Sequence, residues 1–100
     1  MRVENIVSDK GNMIPNQFVM TNNNTIVFQS YESMIVTIDE STKTVLIGAD
    51  YDYSVTTGKY RNIFFRDYAP YELNGLKDLN TLRKAMKDGV YNGWKVEKTF

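Results

Sequence analysis

The sequence predicts an α+β fold, with an antiparallel sheet of four to five strands followed by two helices and a short final strand. Three observations predict it. The first half alternates short β-branched and aromatic runs with polar breaks, which is typical of strands joined by turns. After position 54 the apolar spacing changes from two residues to about 3.6, as in amphipathic helices. The last residues return to a spacing of two.

Four apolar runs in the first half predict the strands. They follow an N-terminal segment, residues 1–15, that we expect to be loosely ordered, and they span residues 17–20, 25–29, 33–38 and 44–48. In the third run, Met34, Val36 and Ile38 alternate, so they lie on one face of a half-buried strand. Asparagines at positions 22–24 tolerate the left-handed conformations that a hairpin turn requires.

The first helix is predicted from a stripe of aromatic residues. Tyr60, Phe64 and Tyr68 lie four residues apart and therefore share one helical face. A serine or threonine between residues 54 and 57 is expected to cap the start of this helix. Pro70 is expected to end it, because the residue before a proline is pushed out of the α region.

The second helix and the last strand are predicted from the C-terminal third. Leucine, methionine and valine follow helical spacing between residues 76 and 90, and Gly89 suits the left-handed position just past the last turn. Asn92–Gly93 predicts a tight turn. Trp94 and Val96 then share one side of a short strand.

The composition limits the chemistry. The chain has 100 residues and neither histidine nor cysteine, which excludes Ser-His-Asp and Cys-His catalysis, thiol chemistry and Cys-ligated zinc. We therefore expect a single domain, residues 1–100, that is not an enzyme and uses no metal or cofactor. Asp50 and Asp52 form the one tight carboxylate pair, and an enzyme using a divalent cation there is a third hypothesis.

The distribution of apolar and charged residues bears on the cellular location of the protein and on the charge of its partners. No apolar run is long enough to span a membrane, and residues 1–15 lack a signal-peptide pattern, so we expect a cytoplasmic location. Net charge is zero, but residues 31–52 carry five acids against one lysine, and residues 53–100 carry nine basic residues against five acids. An acidic half repels phosphate, whereas a basic half attracts phosphate or an acidic protein.

A block of aromatic and basic residues at positions 51–71 is the main candidate for a protein-binding site. It holds seven of the 13 aromatic residues together with three basic ones, and such residue types dominate interface energetics. Phe65 is turned about 100° from Phe64 on a helix, so it is harder to bury in the same core. The protein-binding candidates are Tyr51, Tyr53, Lys59, Arg61, Phe65, Arg66 and Tyr71.

The second helix offers an alternative, nucleic acid as partner. Its polarity resembles that of a recognition helix, and residues 91–96 could form a small wing behind it. The nucleic-acid-binding candidates are Lys77, Arg83, Lys84 and Lys87. A net charge of zero argues against this alternative, because most DNA-binding domains are basic overall.

Residues 28–39 and 52–65 carry the patterns FxSYxSxIaxI and SxTTxK(H/Y)xxxF. In these patterns the chain resembles small uncharacterised proteins encoded by bacterial viruses, over about residues 17–68. The resemblance implies a viral or mobile-element origin more than a mechanism. It favours an accessory protein in the cytoplasm of the host cell that binds a host or phage protein, for instance a defence nuclease, as anti-CRISPR proteins do. A homodimer is a further option.

Overall fold

The computed structural model describes residues 1–100, which form one seven-stranded sheet and three helical segments. In chain order the elements are β1 (Arg2–Val7), β2 (Met13–Asn22), β3 (Thr25–Ser30), β4 (Ser33–Asp39), β5 (Thr44–Ile47), α1 (Val55–Asp67), a 3₁₀ helix (Tyr71–Lys77), α2 (Leu79–Asp88), β6 (Val90–Tyr91) and β7 (Trp94–Lys98). The strand order across the sheet is β1-β2-β3-β4-β5-β7-β6.

The predicted α+β class is confirmed, but the sheet has more strands than the four to five expected. Strands β1 to β5 form an antiparallel meander, and β7 joins the edge of β5 in parallel. A parallel neighbour requires a long crossover connection, which α1, the 3₁₀ helix and α2 provide. The short strand β6 then pairs antiparallel with β7.

The N-terminal segment differs from the sequence prediction. Residues 1–15 were expected to be loosely ordered, but they form β1 and the beginning of β2. Only Ile6 of β1 is fully buried. The apolar alternation of an edge strand with one buried side chain is too weak to detect in the sequence.

The core lies on one face of the sheet, beneath the helices. Register aligns Val19, Phe28 and Val36 across β2, β3 and β4, and all three are buried. Their neighbours of opposite phase, such as Met20 and Val27, are only partly buried on the other face. This pattern is typical of an antiparallel sheet with one covered face.

Helix α1 rests on this core through its aromatic stripe. The Phe28 ring stacks on Phe64 with centroids 5.6 Å apart, and Phe64 stacks on Tyr68 at 6.5 Å. The 3₁₀ helix packs along α1 as a further layer and contributes the buried side chains of Leu73 and Leu76. No helix of the protein has the length and apolar composition that crossing a bilayer requires.

The predicted C-terminal end of the second helix is confirmed, because Gly89 has the left-handed φ of 75°. The helix begins later than the apolar spacing from residue 76 indicated, since Leu76 belongs to the 3₁₀ helix and the Asp78 carboxylate caps α2 by accepting a hydrogen bond from the Thr81 backbone N–H at 3.0 Å. Asn92 and Gly93 both have positive φ, 49° and 82°, as a tight turn between paired strands requires.

Candidate functional site

A cavity of about 500 Å³ opens between the β3–β4 turn, the loop after β5 and the first turn of α1. Seven of its eight lining residues carry a hydroxyl group, and the eighth is Asp50. No lysine, arginine or aliphatic side chain lines it. The cavity is therefore a polar site with rotatable donors and acceptors and a single formal charge.

Two exposed tyrosines form the rim of this cavity. Tyr31 is 61% exposed and Tyr53 is 79% exposed. Tyr31 has a φ of 54°, in the left-handed region that bulky side chains rarely adopt. Its backbone is held on both sides, because its N–H donates to the Asn16 carbonyl and its carbonyl accepts from the Gln29 amide, each at 2.7 Å. The turn thus fixes the Tyr31 backbone in a conformation that glycine or asparagine would adopt with less strain.

The floor of the cavity contains a serine that is buried apart from its contact with the cavity. Ser30 is only 5% exposed and lies on the same face of β3 as Phe28, which contacts α1. Ser30 lines the cavity, and its hydroxyl has no hydrogen-bond partner within the protein. Directly across from it on β2, Gln17 is 1% exposed and its Oε1 also lacks a donor. Gln17 does not line the cavity, so the floor presents the Ser30 hydroxyl alone to a polar ligand.

The wall of the cavity is fixed by short hydrogen bonds. The Ser33 hydroxyl donates to the Asp50 carboxylate at 2.8 Å, which ties the start of β4 to the loop after β5. Ser54 caps α1 by accepting from the Thr57 N–H at 3.1 Å. The first-turn N–H groups of Val55 and Thr56 have no partner within the helix, and they carry its positive partial charge.

The sequence-predicted aromatic and basic block is divided between the two ends of α1. Tyr53 precedes the helix and Tyr71, 90% exposed, follows it. A helix of 13 residues is about 20 Å long, so these two tyrosines do not share one patch. Lys59 lies near neither end, with its ammonium 5.6 Å from the Tyr60 ring centroid.

Arg66 belongs to an ion-pair network at the far end of α1. Its guanidinium contacts Asp9 at 2.7 Å and Asp67 at 2.8 Å. These carboxylates raise the pKa of Arg66, and the hydrogen bond from Arg66 lowers the pKa of Asp67. The Arg66 charge is already paired, so it is not a free cation for a partner. Its ion pair with Asp9 links the β1–β2 connection to α1.

Two predicted interface residues are in the interior. Phe65 is fully buried, so the expectation that it would be hard to bury was wrong. The physical reason is the 3₁₀ helix, which covers a second side of α1. Arg61 is also buried, and its guanidinium donates to the Tyr51 carbonyl and approaches Asp52 at 3.7 Å. Burial lowers the pKa of Arg61.

Tyr51 is half-buried and does not form a free contact surface. Its ring stacks on Phe100 with centroids 6.0 Å apart, at the C-terminal end of the chain. Its backbone carbonyl is already taken by Arg61. Of the seven protein-binding candidates, only Tyr53 therefore lies at the cavity.

The predicted basic face of α2 is partly neutralised. Arg83 pairs with Asp52 at 2.8 Å, and Lys84 pairs with Asp88 at 2.6 Å. Lys77 and Lys87 are exposed. The expected wing also differs, because β7 is built into the main sheet beside β5. Pairing of Arg83 and Lys84 leaves fewer free positive charges to contact a phosphate backbone than the sequence indicated.

The Asp50 and Asp52 carboxylates have separate partners. Asp50 accepts from Ser33, whereas Asp52 lies between the guanidiniums of Arg61 and Arg83. The segment that carries them, residues 49–52, forms turns. The structure contains no group of three or more acidic residues close enough to hold a metal ion.

Sequence reasoning missed Tyr31 and Ser30 as site residues. The available signal was a tyrosine between Ser30 and Glu32, in a two-residue connection where asparagine or glycine is expected. The neighbourhood of Asp50 could not be predicted from the sequence, because the loop after β5 reaches the β3–β4 turn only through tertiary packing.

Comparison with known proteins places the chain in a family. No curated protein and no solved structure matches it. The model of a family of unknown function, DUF8033, matches residues 1–80. The match spans β1 to β5, α1 and the 3₁₀ helix, and it contains all the residues that line the cavity. The chain therefore belongs to the DUF8033 family of unknown function.

Proposed function

We propose that this protein is a non-enzymatic binding protein that acts by occupying a surface of a host or phage protein. The observation that carries the proposal is the exposed rim formed by Tyr31 and Tyr53, with the almost fully exposed Val55 beside it at the start of α1. Tyrosine provides a large contact area with little loss of side-chain entropy, which is why it is frequent at binding surfaces.

The rim has a local charge that favours a basic partner. Glu32 is exposed next to Tyr31, and Asp50 lines the cavity below it. The guanidinium groups of Arg61 and Arg83 are paired with the Asp52 carboxylate and do not offset this negative charge as free cations. Complementary charge accelerates association and excludes partners of like charge, so a lysine- or arginine-rich surface is the expected target.

A phage or mobile-element origin agrees with this proposal. The two segments that resemble small viral proteins, residues 28–39 and 52–65, meet at the cavity and supply both rim tyrosines. A small protein that binds without catalysis works by covering a surface its target needs. A defence nuclease, whose nucleic-acid site is basic, is the target class that this origin and this charge favour.

The experiment compares two exposed tyrosines that lie at opposite ends of α1. Tagged wild-type protein and the variants Tyr53→Ala and Tyr71→Ala are used to capture partners from host lysate, and the affinity of each captured protein is then measured with purified components. Both side chains are exposed, so neither variant should disturb the fold. We expect Tyr53→Ala to weaken a genuine partner by tenfold or more, and Tyr71→Ala to leave it unchanged.

Two results would contradict the proposal. Loss of affinity in Tyr71→Ala alone would move the site to the other end of α1. Loss in a Val27→Lys variant, with both tyrosine variants unaffected, would move it to the uncovered face of the sheet, where Val27 lies. Salt-dependent binding of DNA or RNA that requires Lys77 and Lys87 would favour the nucleic-acid alternative instead.

A further inference from the structure

We propose that the cavity beneath the tyrosine rim is a binding site for a neutral saccharide. This inference goes beyond the proposed function, since it assigns a small ligand to the cavity floor rather than a protein to the rim. The two share Tyr31, Tyr53 and the charge of Asp50, but Ser30 belongs to the cavity floor alone. Variants of the floor therefore separate them.

The floor offers a hydroxyl that has no hydrogen-bond partner within the protein. It belongs to Ser30, which is 5% exposed and lines the cavity from the helix-covered face of β3. A hydroxyl donates one hydrogen bond and accepts two. A ligand that both donates and accepts at adjacent atoms satisfies this floor, and vicinal sugar hydroxyls have that character.

The electrostatics of the cavity favour a neutral ligand. Asp50 supplies one negative charge and no cationic side chain lines the cavity, so a phosphate or carboxylate ligand would be repelled. The first turn of α1 faces the same space, with the free N–H groups of Val55 and Thr56. Its positive partial charge, about half an elementary charge, opposes a cationic ligand. The two effects partly cancel, which leaves hydrogen bonding to a neutral polyol.

The rim and the size of the cavity suit a sugar ring. A volume of about 500 Å³ lies within the range of small-ligand sites, roughly 300–1,000 Å³. Tyr31 and Tyr53 place aromatic surface beside the hydroxyl-lined walls, so the apolar C–H face of a pyranose can contact a ring while its hydroxyls reach Asp50 and Ser33. Hydrogen bonds on both sides of Tyr31 hold the backbone that carries one of these rings.

The test uses free glucose, galactose, mannose and N-acetylglucosamine as probes. Each is titrated into ¹⁵N-labelled protein while amide chemical shifts are recorded. We expect at least one sugar to give saturable shifts confined to residues 30–33 and 50–57, with a Kd of about 1 mM or weaker, as the ligand efficiency of a small molecule allows. Asp50→Asn should weaken this binding by about tenfold, because it removes a charged acceptor.

The controls separate a sugar site from a general surface effect. Ser30→Ala should weaken the sugar and leave the spectrum of the fold intact, whereas Asp88→Asn, an exposed carboxylate paired with Lys84, should change nothing. A protein partner of the rim should be insensitive to Ser30→Ala, so failure of either proposal is visible without the other. No saturable shift with any sugar would overturn the inference. Shifts at these residues produced instead by inorganic phosphate or by N-acetyl-arginine amide would also overturn it.

Discussion

The Ser33 hydroxyl donates a 2.8 Å hydrogen bond to the Asp50 carboxylate, across 17 positions of sequence. This bond joins the first residue of β4 to the loop that leads from β5 into α1. It holds the single charged group of the cavity against the turn that carries Tyr31. The geometry of the cavity therefore depends on two segments that only the folded sheet brings together.

Removing this bond should cost stability as well as site geometry. Ser33→Ala leaves a partly buried carboxylate without its donor, and we expect the free energy of unfolding to fall by about 1–2 kcal/mol. Urea denaturation measures the change. Thr42→Ala removes the hydroxyl of an exposed residue, which donates to the Thr44 hydroxyl at 3.0 Å, and it should cost far less. Equal losses in the two variants would contradict the structural role of Ser33.

Replacing Tyr31 should stabilise the protein while removing its rim. Asparagine adopts the left-handed backbone more easily than tyrosine, and the Tyr31 side chain is mostly exposed. We expect Tyr31→Asn to raise the free energy of unfolding by about 0.5–1 kcal/mol and to abolish partner and sugar binding. Asn23→Gly is the control. Asn23 already tolerates its φ of 54°, so this variant should change the free energy of unfolding little. Destabilisation by Tyr31→Asn would show that the tyrosine serves the fold.

Two glycines should respond in opposite directions to alanine. A Cβ at Gly48 would overlap the backbone carbonyl of Met34, so Gly48→Ala should destabilise by about 1–3 kcal/mol. Gly58 lies inside α1, where a Cβ meets only the Arg61 side chain at an ordinary 3.6 Å. Gly58→Ala should therefore stabilise by about 0.5–1 kcal/mol through helix propensity. Thermal and urea unfolding of both variants checks the pair, and the same sign for both would be inconsistent with this packing.

The buried Arg61 should tolerate an apolar replacement better than truncation. Arg61→Ala leaves a cavity in the core-facing side of α1 and removes the donor to the Tyr51 carbonyl. We expect it to cost about 2–4 kcal/mol. Arg61→Met fills most of the same volume without burying a charge, so its loss should be about half as large. A methionine variant as unstable as the alanine variant would mean that the guanidinium hydrogen bonds, not its volume, dominate.

The Asp78 cap of α2 should make stability depend on acid. The backbone N–H of Thr81, and then its hydroxyl, lower the pKa of Asp78 below the ordinary 3.8. Because the folded-state pKa is the lower one, the carboxylate stabilises the fold above pH 3.8, and this contribution is lost as pH falls through the folded-state value. Asp78→Asn keeps a capping oxygen but does not titrate. The gap in urea midpoint between wild type and variant should therefore be larger at neutral pH than well below pH 3.8; a constant gap would contradict the assignment.

The sequence predicted strands and helix ends where the local signal was strong. The turn at Asn92–Gly93 and the Gly89 terminus follow from local backbone chemistry, and both are confirmed. In β4, Val36 and Ile38 are buried as expected, but a register shift places Met34 opposite Gln29, where it is only partly buried, and Ile35 is buried instead. The predictions that failed depend on tertiary context. Phe65 is buried because a 3₁₀ helix packs along α1, and no local sequence pattern predicts that this helix covers α1.

The candidate site was only partly predictable for the same reason. Tyr53 was identified because it stands in an aromatic block, but Tyr31 and Ser30 belong to a hairpin turn more than 20 positions away. Tyr71 was assigned to the same surface, although the length of α1 separates it from Tyr53. Spacing in sequence specifies a helical face, but it does not reveal which loops meet at the end of a helix.

The most direct test of the central claim is photo-crosslinking in host cells with p-benzoylphenylalanine placed at position 53 or position 71. Both native tyrosines are exposed, at opposite ends of α1, so the two proteins carry the same probe on the same fold. If the tyrosine rim binds the partner, position 53 yields a discrete crosslinked protein and position 71 yields none. A crosslink from position 71 alone, or none from either position, would contradict it.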